Sequence, residues 1–139
     1  MRLPVPVIAI PALAVLLYLF VPGVSERPWT PLRIAGAMIA VISYVLLVIA
    51  AKQLGESLTA RVEARKLVTH GLYSRIRNPI YIFAELMLVG VILTLHLYWL
   101  FAVIPVLIAI QAVRAHREAK LLENVFGQAY LDYRKRTWF

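Results

Sequence analysis

Arg75, Arg77, Asn78 and Tyr81 fall within a few positions of one another, with Pro79 among them and Gly71 and Tyr73 just upstream. Proline is favoured at the first position of a helix and asparagine immediately before it, so the spacing predicts a helix that begins at Pro79 with Asn78 as its cap. The first turn of a helix leaves backbone N–H groups unpaired and carries a partial positive charge. With Arg75 and Arg77 beside it, that end suits an anion such as a carboxylate or a phosphate. Gly71 permits a tight turn, and Tyr73 and Tyr81 bring aromatic faces and hydroxyls. Capping alone would account for the Asn-Pro pair; the two arginines are what make this helix start a candidate site.

Two acids complement it. Glu85 lies six positions after Pro79, about 9 Å along the helix at 1.5 Å per residue. An ionisable group at that depth in an apolar helix is a functional candidate, with Arg114 as its candidate partner. Glu118 follows Arg114 by one helical turn, and a surface pair at that spacing contributes only about 0.2–0.5 kcal/mol. On a bare helix the structural role of Glu118 is therefore the simpler one. His70 and His116 are isolated histidines, which are more often structural than catalytic. The chain has no cysteine, so thiolate ligands and a cysteine nucleophile are excluded. GxGxxG, GxxxxGK and HExxH are absent as well, and no metal site is expected.

These residues must be positioned by a very apolar chain. It is 62% hydrophobic, against about 45–50% for a soluble domain, which marks an integral membrane protein. Its 139 residues suit one domain, because each transmembrane helix takes about 20. Apolar segments predict such helices over about 3–21, 32–54, 79–95 and 98–113. Pro4, Pro6 and Pro11 predict a kinked start to the first, and the lack of a small-x-small cleavage site favours a retained helix over a signal peptide. Helix breakers from Pro22 to Pro31 turn the chain round, with Trp29 suited to the interface. Only His96 and Leu97 separate the last two spans, which predicts a tight antiparallel hairpin tipped by Tyr98 and Trp99.

Beyond Val113 the pattern changes. Leu121, Leu122, Val125, Phe126, Ala129, Tyr130 and Tyr133 recur at helical spacing, while Arg117, Lys120, Asn124, Gln128 and Asp132 occupy much of the other face. A helix of this kind lying on the bilayer needs no further function. The expected fold is thus an all-α integral membrane protein with four transmembrane helices, the last two a short hairpin, plus a C-terminal amphipathic cytoplasmic helix. Lys52, Arg61, Arg65, Lys66, Arg75 and Arg77 precede the hairpin, and Arg114, Arg117, Lys120, Arg134, Lys135 and Arg136 follow it. The positive-inside rule puts both groups in the cytoplasm, together with both termini and the elements at about 65–81 and 114–136. The net charge of +8 then reflects orientation and anionic lipid headgroups, and no nucleic-acid partner is expected.

The segment LVTHGLYSRIRNPIY, the hairpin and the later EAKLLENVFGQAYLDY together resemble the isoprenylcysteine carboxyl methyltransferase and phospholipid methyltransferase superfamily. Its members typically show Gly-x-Tyr-x-x-x-Arg-His-Pro-x-Tyr, matched here by Gly71, Tyr73, Arg77, Pro79 and Tyr81. They also show Glu-x-x-Leu-x-x-x-x-Phe-Gly-x-x-Tyr-x-x-Tyr, matched by Glu118, Leu121, Phe126, Gly127, Tyr130 and Tyr133. The resemblance covers roughly Leu67 to Tyr133. Asn78 stands where histidine is frequent, a variant similar to many bacterial members, which removes an imidazole from that position and implies a bacterial inner membrane as the location. Ala119 stands where phospholipid methyltransferase-like members often have a second glutamate.

This resemblance implies methyl transfer from S-adenosyl-L-methionine to a lipophilic acceptor, most like isoprenylcysteine carboxyl O-methylation, with phospholipid N-methylation as the alternative. It implies Arg77, Tyr81 and Glu118 as catalytic residues and cofactor contacts from Val68, Thr69, His70, Gly71, Tyr73, Arg77, Asn78, Tyr81, Glu118 and Leu122. Glu85 and Arg114 become candidates for the acceptor side, and a lipophilic or prenylated acceptor would arrive from the bilayer. An amine acceptor must lose a proton, which Glu118, Tyr81 or Glu85 could accept. Sterol-reductase-like oxidoreductases using NADPH have a similar Arg-His-Pro-x-Tyr element, but they place an acid three residues after the tyrosine, where this chain has Ala84. A non-enzymatic membrane scaffold is the remaining alternative.

Overall fold

A computed structural model describes residues 10–14, 18, 23–58 and 67–138, without the side chains of 56–58. The described elements are helices: α1 (Pro31–Leu58), a 3-10 turn (Gly71–Ser74), α2 (Pro79–Leu95), a second 3-10 segment (Tyr98–Val103), α3 (Ile104–Phe126) and α4 (Gln128–Arg136). One isolated parallel bridge pairs Ile76 with Trp138. Of the expected first span at 3–21, residues 10–14 and 18 are helical and the remainder lies outside the described residues. Expected and observed bounds coincide for α2, with Pro79 in the first turn.

The last span departs from expectation. In place of a helix at 98–113 followed by a separate one at 114–136, the chain makes a 3-10 segment and then a continuous α-helix to Phe126. Residues 113–126 contain neither proline nor glycine and are largely good helix formers, so nothing ends the helix at the edge of its apolar part. It stops at Gly127, which adopts φ +50° while its N–H bonds to the Glu123 carbonyl at 2.8 Å. That backbone region favours glycine.

α1 and α2 form the packed centre of the molecule. Their backbones meet at Gly36, Ala40 and Gly90: a Cβ on Gly90 would lie 2.5 Å from the Ala40 nitrogen and 2.7 Å from the Gly36 oxygen. Small residues permit this approach, as they do between helices in membranes. Toward the basic end the contact continues through Leu47, Ala51, Phe83, Ala84 and Met87, with Ile10 packed against them. At the opposite end His96 takes a left-handed conformation, and Val24, Leu95 and Leu97 close the turn. Arg33 is fully buried there, donating to the Val24 carbonyl at 3.1 Å and to that of Arg27, with its guanidinium 4.5 Å from the Trp29 ring.

α3 lies antiparallel to α2, because Tyr81 contacts Glu118 while Glu85 contacts Gln111, in reversed order along the two helices. Val106, Ile108, Ile110 and Val113 on α3 are exposed, as are Val41, Ile42 and Val45 on α1. Such continuous apolar surface suits lipid rather than water. Pro31–Gly55 and Tyr98–Phe126 are each long and apolar enough to cross a membrane. α2 has 17 residues and extends only about 26 Å, short of the roughly 30 Å hydrocarbon core.

Candidate functional site

The site is built around the start of α2. Asn78 occupies the position before Pro79, but its side chain makes no capping hydrogen bond, contrary to expectation. Its backbone is neither helical nor in the extended conformation usual for a capping residue (φ −124°, ψ 59°); only its carbonyl engages the helix, accepting from the Tyr81 N–H at 3.1 Å. Asn78 instead lines a small cleft of about 50 Å³ with Tyr73, Arg77, Tyr81 and Glu118. Across that cleft the Tyr81 hydroxyl donates to Glu118 Oε1 at 2.9 Å, joining α2 to α3. Arg77 Nε is buried and makes no hydrogen bond among the described residues.

Two larger spaces adjoin this contact. Arg77 and Asn78 also line an open cavity of about 290 Å³ with His116, Lys120, Glu123 and Arg134. Cations outnumber acids there, which favours an anionic group. Tyr81 forms part of the wall of a third cavity, about 450 Å³ and mostly apolar, between α2, α3 and residues 10–14. One side chain thus borders a polar cleft and an apolar chamber.

The C-terminal segment holds the loop ahead of α2. The Arg77 N–H donates to the Trp138 carbonyl at 3.3 Å and the Trp138 N–H to the Arg75 carbonyl at 3.0 Å. Tyr130 and Tyr133 are buried, and the Tyr133 hydroxyl donates to the Tyr73 carbonyl at 2.7 Å. Burial, with a smaller contribution from Tyr130, pushes the Tyr133 phenol up to about 12 against the opposing influence of Arg77. Tyr130 and Tyr133 of the tail therefore pack on protein, where periodicity alone favours a helix lying on lipid. Gly71 (φ +60°) sits against Gln53, whose Oε1 accepts the Leu72 N–H at 2.9 Å. A Cβ at Gly71 would overlap that Gln53 side chain.

Of the residues singled out in the sequence, Tyr73, Arg77, Asn78, Tyr81 and Glu118 converge on one cleft. Val68 is buried against Ala50 and Tyr73, beneath the turn rather than in the cleft. Thr69, His70 and Gly71 are exposed. None of these four, nor the half-buried Leu122, lines any of the three spaces. Glu85 and Arg114 both border the apolar cavity, but Glu85 takes its hydrogen bond from Gln111 Nε2 at 2.8 Å rather than from Arg114. Its other oxygen, Oε2, is buried and makes no hydrogen bond among the described residues. Gln111 was not among the expected site residues; its signal was that it alone is polar in the run from Ile104 to Val113.

A family model described as phospholipid methyltransferase matches residues 32–129, from the start of α1 into α4. No curated protein and no solved structure matches the chain.

Proposed function

The chain belongs to the phospholipid methyltransferase family, within the superfamily that includes the isoprenylcysteine carboxyl methyltransferases, and from that premise we propose that it transfers a methyl group from S-adenosylmethionine to a lipophilic acceptor in the membrane. Tyr81 carries this reading, because it bonds to Glu118 on the polar side and borders the apolar cavity on the other.

The residues present fit the proposed donor. The buried, unbonded Arg77 Nε calls for an acceptor such as a carboxylate, and Glu118 complements an ammonium or a sulfonium. Tyr73 and Tyr81 offer aromatic surface beside both. When bound, S-adenosylmethionine supplies an activated methyl group on a positively charged sulfur. The chain then has to hold, align and dehydrate the reactants, since displacement at a methyl carbon needs no covalent help from protein. Arg77 and Glu118 would fix the two charged ends, Tyr81 would hold the Glu118 carboxylate in place, and the apolar cavity would take the acceptor's hydrocarbon. Prenylated carboxylates and phospholipid amines both carry such a tail.

In the membrane we place four spans, with the termini, the cleft and the basic residues before the hairpin and after α3 begins its polar part, from Lys52 to Arg77 and from Arg114 to Arg136, cytoplasmic. The donor would enter from water and the acceptor from lipid. Calorimetric titration of the purified chain with S-adenosylmethionine, S-adenosylhomocysteine and NADPH tests the reading. Binding of the two adenosyl compounds is expected. Binding of NADPH with no response to either of them would overturn it in favour of a reductase.

A further inference from the structure

The Glu85–Gln111 pair lies one helical turn beyond Tyr81, about 6 Å along α2, and borders the apolar cavity of about 450 Å³. Gln111 holds Oε1 of the carboxylate at 2.8 Å, while Oε2 is buried without a hydrogen bond among the described residues. Leaving a buried acceptor unsatisfied is costly, more so where no water can reach it. A hydrocarbon tail in the cavity cannot supply the missing donor; a ligand head with an O–H or N–H can. The terminal torsion of a glutamate is soft, so a small rotation offers Oε2 to such a head while Gln111 keeps Oε1. We infer that Glu85, positioned by Gln111, is a specificity-determining residue that selects long-chain amphiphiles whose heads donate a hydrogen bond, against those whose heads only accept one.

A carboxylate head would bring acceptor oxygens toward a carboxylate. Its natural partner in the same cavity is Arg114, one turn from Gln111 toward Glu118, so Arg114 defines the rival selectivity. The inference rests on the proposed function only in calling the occupant a methyl acceptor. Its test is therefore run without the methyl donor, so loss of donor binding and loss of head selectivity are separate results.

Native mass spectrometry of the purified full chain in detergent, with oleyl alcohol, oleylamine, oleyl methyl ether and oleate, provides that test. The alcohol and the amine are expected to bind about tenfold more tightly than the ether or oleate, as one hydrogen bond to a carboxyl oxygen would give. Glu85→Leu should bring the alcohol and the ether to equal affinity. In Glu85→Gln the amide oxygen can take the Gln111 bond, which leaves an N–H for the head; preference should then shift toward the ether and oleate. A residue needed only for packing would not reverse the order of ligands in this way. Preference for oleate in the unaltered chain, or the same ligand order in both variants as in the parent, would overturn the inference. Thermal unfolding of each variant verifies that the compared proteins are folded, and Gln111→Leu is expected to narrow the preference without reversing it.

Discussion

The contact between the Tyr81 hydroxyl and Glu118 Oε1 makes a quantitative prediction, because it joins the two elements that would hold the donor. At 2.9 Å, with an ionised acceptor, such a bond contributes about 1.5–3 kcal/mol. At about 1.4 kcal/mol per factor of ten, its loss corresponds to roughly a ten- to hundredfold change in affinity. If the hydroxyl acts by positioning the carboxylate, Tyr81→Phe should weaken S-adenosylhomocysteine binding by about tenfold. Glu118→Gln should weaken it by at least as much, because it also removes the charge that complements the ligand's cation. The double variant should then be little worse than Glu118→Gln alone, with a coupling of about 0.5–3 kcal/mol. Asp132→Asn, on the exposed face of α4 with a side chain that among the described residues meets only Gln128 and Lys135, should stay within about twofold of the parent. Isothermal titration in one detergent gives all of these constants. Losses that multiply in the double variant would show that the two residues act independently; both single variants within twofold of the parent would show that the site lies elsewhere.

Two further predictions concern stability. Gly90→Ala places a Cβ against the backbone of Ala40 and Gly36, which cannot rotate away, so α1 and α2 must part; a loss of about 1–3 kcal/mol, typical of overpacking, is expected as a lower melting temperature in detergent. Tyr133 titrates at about 12 in the folded protein, above its ordinary 10.0, so above pH 10 the unfolded chain loses a proton that the folded chain keeps. Stability is then full below pH 10 and falls between pH 10 and 12. Melting temperatures across that window should decline less steeply in Tyr133→Phe, although that variant starts lower for want of the bond to the Tyr73 carbonyl; parallel declines would refute this assignment.

Much of the candidate site was legible because it depends on local rules. Proline at the first helical position marked the beginning of α2, and the order of Arg77, Pro79, Tyr81 and Glu118 carried the family resemblance. Asn78 shows how far a local rule reaches: it stands where a capping residue belongs, yet its side chain makes no capping bond and the residue lines the cleft. The break at Gly127 illustrates the same limit. An apolar-to-amphipathic change in composition suggested two helices meeting at Val113, whereas backbone preference carried one helix on to the next glycine.

Composition and spacing by themselves determined that the chain is a helical membrane protein, where α2 begins, and which polar residues are candidates for the site. Tertiary structure decided that Glu85 pairs with Gln111 instead of Arg114, that Tyr81 meets Glu118, and that Tyr133 and Trp138 bind the tail to the loop before α2. The reason lies in the solvent. In water an amphipathic stripe announces which face of a helix is buried, but α1 and α2 are apolar all round and carry no such stripe. Their rotation is set by where two backbones can touch, at Gly36 and Gly90. Only that contact, together with the turn at His96, settles which side chains of α2 and α3 face each other across the cavity.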